Sequence, residues 1–323
     1  MATSWIDERL ADRGSERTGE PEQGQVRPWA AVLSAPTTEG TVWLKATAPG
    51  TAFEVRLYEL LVRVAPDRVL EPLALDPERA WILLPDGGPT LGARFDGRER
   101  IRALTAAMAA YGRLQRRLAP YVEEALSIGV ADMRPARMPE RFREAVAAVA
   151  TVSEERGDAE GLEICERIAP LEPRVTGWCE RLAESTLPAS LDHNDLHMWN
   201  VLPGEGGEVR FYDWGDCVVA HPFAAMLVPL GFVQRGLEVE LADPRFVAAR
   251  DAYLGAFADL GAPAELGATL ELACRVAKIA RVLTWDRALR AAREQGDEID
   301  PGWASATRIG LASLAEDSWL SPV

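Results

Sequence analysis

His193-Asn194-Asp195-Leu196-His197-Met198-Trp199-Asn200, followed by Asp213-Trp214-Gly215, is the part of this chain that decides how the rest is read. Both pieces lie within residues 189–221, which hold all three histidines, His193, His197 and His221, together with Asp192, Asp195, Asn200, Asp213 and Asp216. The stretch reads as loop, short strand, Gly turn, short strand, loop. Residues 200–202 and 209–212 flank Gly204-Glu205-Gly206-Gly207-Glu208, which is the pattern of a hairpin. Such a hairpin holds Asn200 near Asp213 and both near Asp195 on the preceding loop. Two carboxylates and an amide then converge as hard oxygen donors. They suit Mg²⁺ carrying nucleotide phosphates, because Mg²⁺ keeps several waters and takes only one or two protein carboxylates.

Upstream, a short helix begins near Ser4 and gives way to a polar stretch over 13–25. Two strand-like runs follow at 29–34 and 41–46, separated by the turn Pro36-Thr37-Thr38-Glu39-Gly40, and Lys45 falls on the second. Past Pro49-Gly50, the residues Phe53, Leu57, Leu60, Leu61 and Val64 recur at helical spacing until Pro66, on a helix that carries Glu54 and Glu59. Runs at 69–75 and 80–84 read as strands. The second stops at Pro85-Asp86-Gly87-Gly88-Pro89, where we expect a lobe boundary. Ile101, Leu104, Met108, Tyr111, Leu114 and Leu118 then mark one face of a long helix closed by Pro120. Further helices are expected over 140–156, 160–185, 223–236, 246–260, 265–292 and 302–315. The fold class is α+β, with a sheet-containing N-terminal part and a mainly helical remainder.

Composition narrows the function. A chain of 323 residues, 48% hydrophobic and 26% charged, is that of a globular protein with roughly two domains. With 35 Lys and Arg against 50 Asp and Glu, the net charge of −15 opposes phosphate neutralisation and disfavours nucleic acid or anionic membrane as partners. It leans instead toward a cationic small molecule. No apolar stretch reaches the length of a membrane span and the start carries no export signal, so a cytoplasmic protein is expected. The four cysteines, Cys165, Cys179, Cys217 and Cys274, show no metal-ligand spacing and read as reduced thiols. Only Lys45 and Lys278 are lysines, against a strong bias to Arg. Either could have been kept as a compact point charge for a phosphate.

The loop from His193 to Asn200 resembles the H-x-D-x-x-x-x-N catalytic loop of the aminoglycoside phosphotransferase and choline kinase-like enzymes, relatives of protein kinases. Asp213-Trp214-Gly215, thirteen residues after Asn200, is similar to their counterpart of Asp-Phe-Gly. The resemblance implies a bilobal protein-kinase-like fold with a nucleotide-binding lobe over 1–84, a hinge over 85–91, and a helical lobe over 92–323 carrying the catalytic loop and acceptor pocket. It implies transfer of the γ-phosphate of ATP or GTP to a hydroxyl of a small molecule. An aminoglycoside or other antibiotic is the first expectation, in resistance or self-protection; a metabolic kinase of a sugar, amino alcohol or amino acid is the alternative. By the same resemblance Asp195 takes the acceptor proton, Asn200 and Asp213 hold Mg²⁺, and Lys45 touches the α/β-phosphates. Glu54 is the first choice as the partner of Lys45, with Glu59 the other. Leu83, Leu84 and Pro85, with Asp86, meet the adenine edge, and Asp216 meets an amine or hydroxyl of the acceptor.

His193 is expected to be scaffold, His197 and His221 to hydrogen-bond locally, and Trp199 and Trp214 to be core. The chain departs from protein kinases in two ways. No G-x-G-x-x-G precedes Lys45, so 14–24 or 36–40 is expected to cover the phosphates, and no activation segment follows Asp213, which argues for a small acceptor. Two other readings compete. His193, His197 and His221 with Asp195 and Asp213 could form a Zn²⁺ or Mn²⁺ hydrolase site, which needs neither Asn200 nor Lys45. The chain could also be a nucleotide-binding protein without catalysis.

Overall fold

Period-two alternation along one strand sorts the N-terminal sheet into two faces. In the computed structural model, which describes residues 1–320, Val42 and Leu44 are buried with Trp5, Ile6 and Leu10 of helix α1 (Ala2–Ala11), while Trp43 and Lys45 face a cleft on the other side. Strands β1 (Glu22–Arg27), β2 (Ala30–Thr37), β3 (Gly40–Thr47), β4 (Ala74–Asp76) and β5 (Trp81–Pro85) pair antiparallel in the order β1-β2-β3-β5-β4. Helix α2 (Phe53–Val64) packs Val55, Leu57, Leu60 and Leu61 into one core with Ile82 and Leu84 of β5.

Three local expectations change here. β1 was not foreseen, because its six residues are all exposed and carry no alternation. β2 runs through Pro36, which leaves only Thr38-Glu39 as its turn into β3; the Glu39 amide donates to Thr37 Oγ1 at 3.1 Å. The strand expected over 69–75 shrinks to β4, and Val69 instead makes an isolated bridge to Phe211.

The remainder is mostly helical: α3 (Leu91–Arg94), α4 (Gly97–Leu118), α5 (Val122–Ile128), α6 (Met138–Arg156), α7 (Ala159–Ile168), α8 (Glu172–Ala183), α9 (Leu227–Leu237), α10 (Pro244–Leu254), α11 (Pro263–Gln295) and α12 (Pro301–Ala312). The single helix expected over 160–185 is two, because Pro170 has no amide to continue the first. Short strands β6 (Ala131–Met133), β7 (Ser190–Asp192) and β10 (Val218–Ala220) form a sheet in the order β6-β10-β7, and β8 (Val201–Pro203) pairs with β9 (Val209–Phe211) as a hairpin. Among the described residues no helix is long and apolar enough to cross a membrane. Residues 321–323, the last of the expected helical lobe, lie outside the described residues.

Helix α4 ties this helical part to the polar segment. Buried Gln115 donates from Nε2 to Leu191 O (3.0 Å) and Pro222 O (2.8 Å), and accepts from Tyr253 Oη (2.7 Å). Gln115→Leu removes all three bonds at nearly constant volume and is expected to destabilise the fold by roughly 1–3 kcal/mol. Thermal unfolding checks it, and an unchanged melting temperature would mean that the network is energetically idle.

Lys278 is fully buried in α11 and donates to Ser313 O (2.9 Å) and Ser318 O (2.8 Å). Burial lowers its pKa to about 8. It fastens the chain after α12 to the core and takes no place in the cleft, so of the two lysines only Lys45 lies where a phosphate could reach it. The four cysteines are buried and free.

Candidate active site

Lys45 reaches the cleft because it is odd-numbered on β3, opposite in face to Val42 and Leu44. Its Nζ lies 2.6 Å from Glu54 Oε2 and 2.5 Å from Asp213 Oδ1, which joins β3, α2 and the loop after β9. Glu54 is fully buried and also accepts the Trp214 amide at 2.9 Å; Glu59 is exposed and takes no part. Burial opposes the Lys45 charge, but Asp213 and Glu54 outweigh it and hold its pKa above the ordinary lysine value. Burial pushes Glu54 upward, to about 7, against the pull of Lys45 and of the Trp214 amide.

The hairpin places Asn200 and Asp213 as its sequence suggests, with the Tyr212 amide bonded to Asn200 O at 3.3 Å. Asn200 Nδ2 donates to Asp195 O (2.9 Å) and Asp195 Oδ2 (3.2 Å), which leaves Oδ1 without a donor among the described residues. Asn194 and Asp213 both adopt left-handed backbone (φ 60 and 62), a conformation that Asn and Asp tolerate better than most side chains. Asp195 Oδ2 lies 3.3 Å from His197 Nε2, and its Oδ1 lies 3.4 Å from Arg281 NH1. Burial raises the Asp195 pKa, but the His197 hydrogen bond and the Arg281 charge prevail and hold it well below the usual carboxylate range.

The histidines have separate fates. His193 is buried against Trp214 and Tyr111, and its Nε2–H donates to Tyr212 O at 2.9 Å, which ties the loop from His193 to Asn200 to the end of β9. His197 accepts the Trp199 amide on Nδ1 (3.3 Å), so Nε2 carries the proton directed at Asp195. His221 caps the turn after β10, with Nδ1 accepting from the Phe223 amide and Nε2 beside Ser185 Oγ. The three therefore do not converge, and no group of three or more His, Cys, Asp or Glu side chains forms a metal cage among the described residues. Trp214 is core as expected. Trp199 is 44% exposed and lies over Gly92, where a Cβ would fall 2.6 Å from the indole.

Two adjoining cavities meet at Lys45 and Asp213. The larger, about 340 Å³, is lined by Ala30, Val32, Tyr58, Leu70, Leu84 and Leu202, with Asp86, Gly87, Gly88 and Thr90 at its rim. Of the four residues expected at the base, Leu84 and Asp86 line it. Leu83 belongs to the opposite face of the sheet with Trp5 and Leu10, and Pro85 lines a different cavity with Leu10, Arg13 and Thr37. The backbone of Leu83 is also spent inside the sheet, with its carbonyl accepting the Leu73 amide at 2.7 Å. The open stretch lies just beyond β5, where Gly88 turns at φ 76 and Gly87 has no room for a Cβ against Leu202.

The smaller cavity, about 200 Å³, is lined by Thr51, Asp195, His197, Asn200, Asp216, Thr284 and Trp285. Gln25, Arg27 and Trp29, at the β1–β2 turn, border both cavities. That turn, and neither 14–24 nor 36–40, overhangs the cleft; Ser15 and Thr18 pack instead against Thr38 and Pro36. Trp29 makes edge contacts with Trp285 of α11 and Trp303 of α12.

Helix α11 supplies residues that sequence reading did not single out. Arg281 donates to Asn194 O (2.5 Å), Thr284 Oγ1 accepts from Asn194 Nδ2 (2.7 Å), and Arg287 donates to Gly215 O (3.2 Å). In sequence α11 carries charged residues along its whole length, so nothing local sets Arg281, Thr284 and Arg287 apart.

An antiparallel sheet lobe and a helical lobe, with a buried Lys–Glu pair facing an Asp/Asn/Asp loop across the cleft, define a protein-kinase-like fold. The chain belongs to the phosphotransferase enzyme family, whose model matches residues 39–266. Solved structures share the fold along nearly its whole length. A macrolide 2'-phosphotransferase, MphH from Brachybacterium faecium, is 19% identical over 96% of this chain and 97% of its own, with a TM-score of 0.56. The choline kinase LicA from Streptococcus pneumoniae is 14% identical over 96% and 98%, with a TM-score of 0.61. The ethanolamine kinase of Plasmodium vivax is 12% identical over 92% and 82%, with a TM-score of 0.59. Among curated proteins none matches significantly.

Proposed function

We propose that this chain transfers the γ-phosphate of a Mg-nucleotide, ATP or GTP, to a hydroxyl of a small molecule. The observation that carries the reading is the meeting of Lys45, Glu54, Asp195, Asn200 and Asp213 where the two cavities join. Residues 1–84 then serve as the nucleotide lobe, 85–91 as the hinge and 92–323 as the acceptor lobe, and a cytoplasmic location follows from the co-substrate.

The larger cavity takes the base and sugar between Val32, Leu70, Leu84 and Leu202, and the Asp86–Gly88 backbone meets the base edge. Phosphates point toward Lys45, with Arg27 above them. The donor set fits Mg²⁺: Asp213 is 44% exposed with one oxygen free of Lys45, Asn200 Oδ1 has no donor, and both residues line the smaller cavity. When bound by Asp213 and Asn200, the ion would offset charge on the nucleotide phosphates. Asp195 accepts a hydrogen bond from the acceptor hydroxyl. As that oxygen bonds to the γ-phosphorus, the bond to the leaving nucleoside diphosphate breaks, and the proton passes to Asp195 and then to solvent.

For the acceptor, a cavity of about 200 Å³ is below the roughly 300–1,000 Å³ of sites that enclose drug-sized ligands. This favours the metabolic reading, a single-ring sugar or smaller compound, over a whole antibiotic. Nucleoside diphosphate release with Mg-ATP or Mg-GTP, against sugars, amino alcohols, amino acids and antibiotics, tests the reading; no release with any acceptor would refute it. Asp213→Asn is expected to abolish the Mg-dependent part of the nucleotide-induced rise in melting temperature. A wild-type rise that is the same with and without Mg²⁺ would sink the metal assignment.

A further inference from the structure

Arg281 projects from α11 onto the acceptor side of the catalytic loop. Its NH1 donates to Asn194 O at 2.5 Å and stands 3.4 Å from Asp195 Oδ1 and 3.5 Å from Asp216 Oδ2. The guanidinium also lies over the Trp285 ring, 5.8 Å from its centroid, and the side chain is 17% exposed. One planar cation thus touches the backbone before Asp195, the Asp195 carboxylate and the second carboxylate of the chamber. Two carboxylates in a small cavity would ordinarily be a ready site for an ammonium group. Here the guanidinium, which is not one of the residues lining that cavity, already partners both carboxylates from beside it. Asp216 accordingly faces a fixed cation inside the protein and is not left open for an amine of the acceptor.

We propose that Arg281 is a positioning and specificity residue, which holds Asp195 toward the acceptor hydroxyl and, by compensating Asp195 and Asp216, selects acceptors uncharged beside that hydroxyl, neutral polyols, over those bearing an ammonium there. The inference rests on the phosphotransfer reading above. It runs against the net charge of −15, which attracts cations from a distance but does not describe the reacting centre, where Arg281 already partners the carboxylates that an incoming ammonium would seek. Burial followed by the Asp195 charge raises the Asp216 pKa, to about 6, with Arg281 pulling the other way, as expected if these three groups form one unit.

The test uses acceptors matched in size, glucose with glucosamine and propanediol with ethanolamine, in steady-state kinetics of the full chain. Wild type is expected to favour the neutral member of a pair at least tenfold in kcat/KM. Arg281→Gln should lower kcat on the neutral acceptor at least thirtyfold and shift the preference at least tenfold toward the amine. Arg281→Lys should keep the neutral preference but lose rate, since a lysine lacks the planar guanidinium that lies over the Trp285 ring and so fixes the nitrogen facing all three partners. Combining Arg281→Gln with Asp216→Asn restores charge balance and should recover part of the kcat, which no merely structural loss would do. Wild-type preference for amines, or an Arg281→Gln variant with unchanged kcat and selectivity, overturns the inference while phosphotransfer stands. Absence of wild-type turnover on every acceptor overturns both.

Discussion

Asp195→Asn is expected to lower kcat by about 10²–10⁴, the range that a positioned base contributes, while leaving the Mg-nucleotide-induced rise in melting temperature in place. The amide preserves shape and can still accept the proton of His197 Nε2, but it cannot take the proton of the acceptor. Because His197 and Arg281 hold the Asp195 pKa low, the wild-type carboxylate is a weak base. Its contribution is then orientation of the hydroxyl and a late proton transfer, as suits a loose transition state. Steady-state kinetics with nucleotide-dependent melting separates the two effects. A kcat within tenfold of wild type would remove Asp195 from the chemistry.

The second large effect is on stability and nucleotide binding together. Lys45→Met leaves Glu54, fully buried, without its cation and is expected to cost about 3–5 kcal/mol at pH 8. Its pH dependence follows from Glu54. Burial already raises that carboxyl above its ordinary value, and removal of Lys45 takes away a pull in the other direction, so the variant's folded pKa rises further. A carboxyl raised on folding favours the folded state at low pH and loses that advantage as pH climbs through the folded value. The deficit against wild type should therefore be large at pH 8 and shrink toward pH 5. Melting curves at both pH values check it, and an equal deficit would mean that Glu54 bears no uncompensated charge. Nucleotide-dependent stabilisation should be lost at either pH.

Much of this site was legible because its chemistry is local in sequence. The five-residue spacing from Asp195 to Asn200 and the hairpin to Asp213 are short-range features, and Lys45 stood out as one of only two lysines, on an expected strand. Between Glu54 and Glu59 the sequence left the partner of Lys45 open, with a preference for Glu54 from the resemblance alone; the structure decides it, because Glu54 is buried on α2 and pairs with Lys45. What escaped was long-range. Arg281 touches Asn194 from a distant helix, and its role depends on packing that no window of residues encodes. β1 was invisible for a different reason, since a wholly exposed edge strand owes its existence to the hydrogen bonds of β2 and not to a buried face. Leu83 and Pro85 were misplaced because β5 is an interior strand whose alternation turns them away from the cleft and whose backbone is paired on both sides, a fact of sheet order.

The contact of Trp29 with Trp285 and Trp303 also bears on how the molecule is made. Trp29 comes early in the chain and its two aromatic partners late, so during synthesis the Trp29 carbonyl can be held by the Ala48 amide and Thr51 Oγ1 while its indole lacks these two partners until α11 and α12 have emerged. The sheet can pair locally long before that. The aromatic contacts that join this turn to the helical lobe form only when the last helices dock, a late event in the life of the nascent chain.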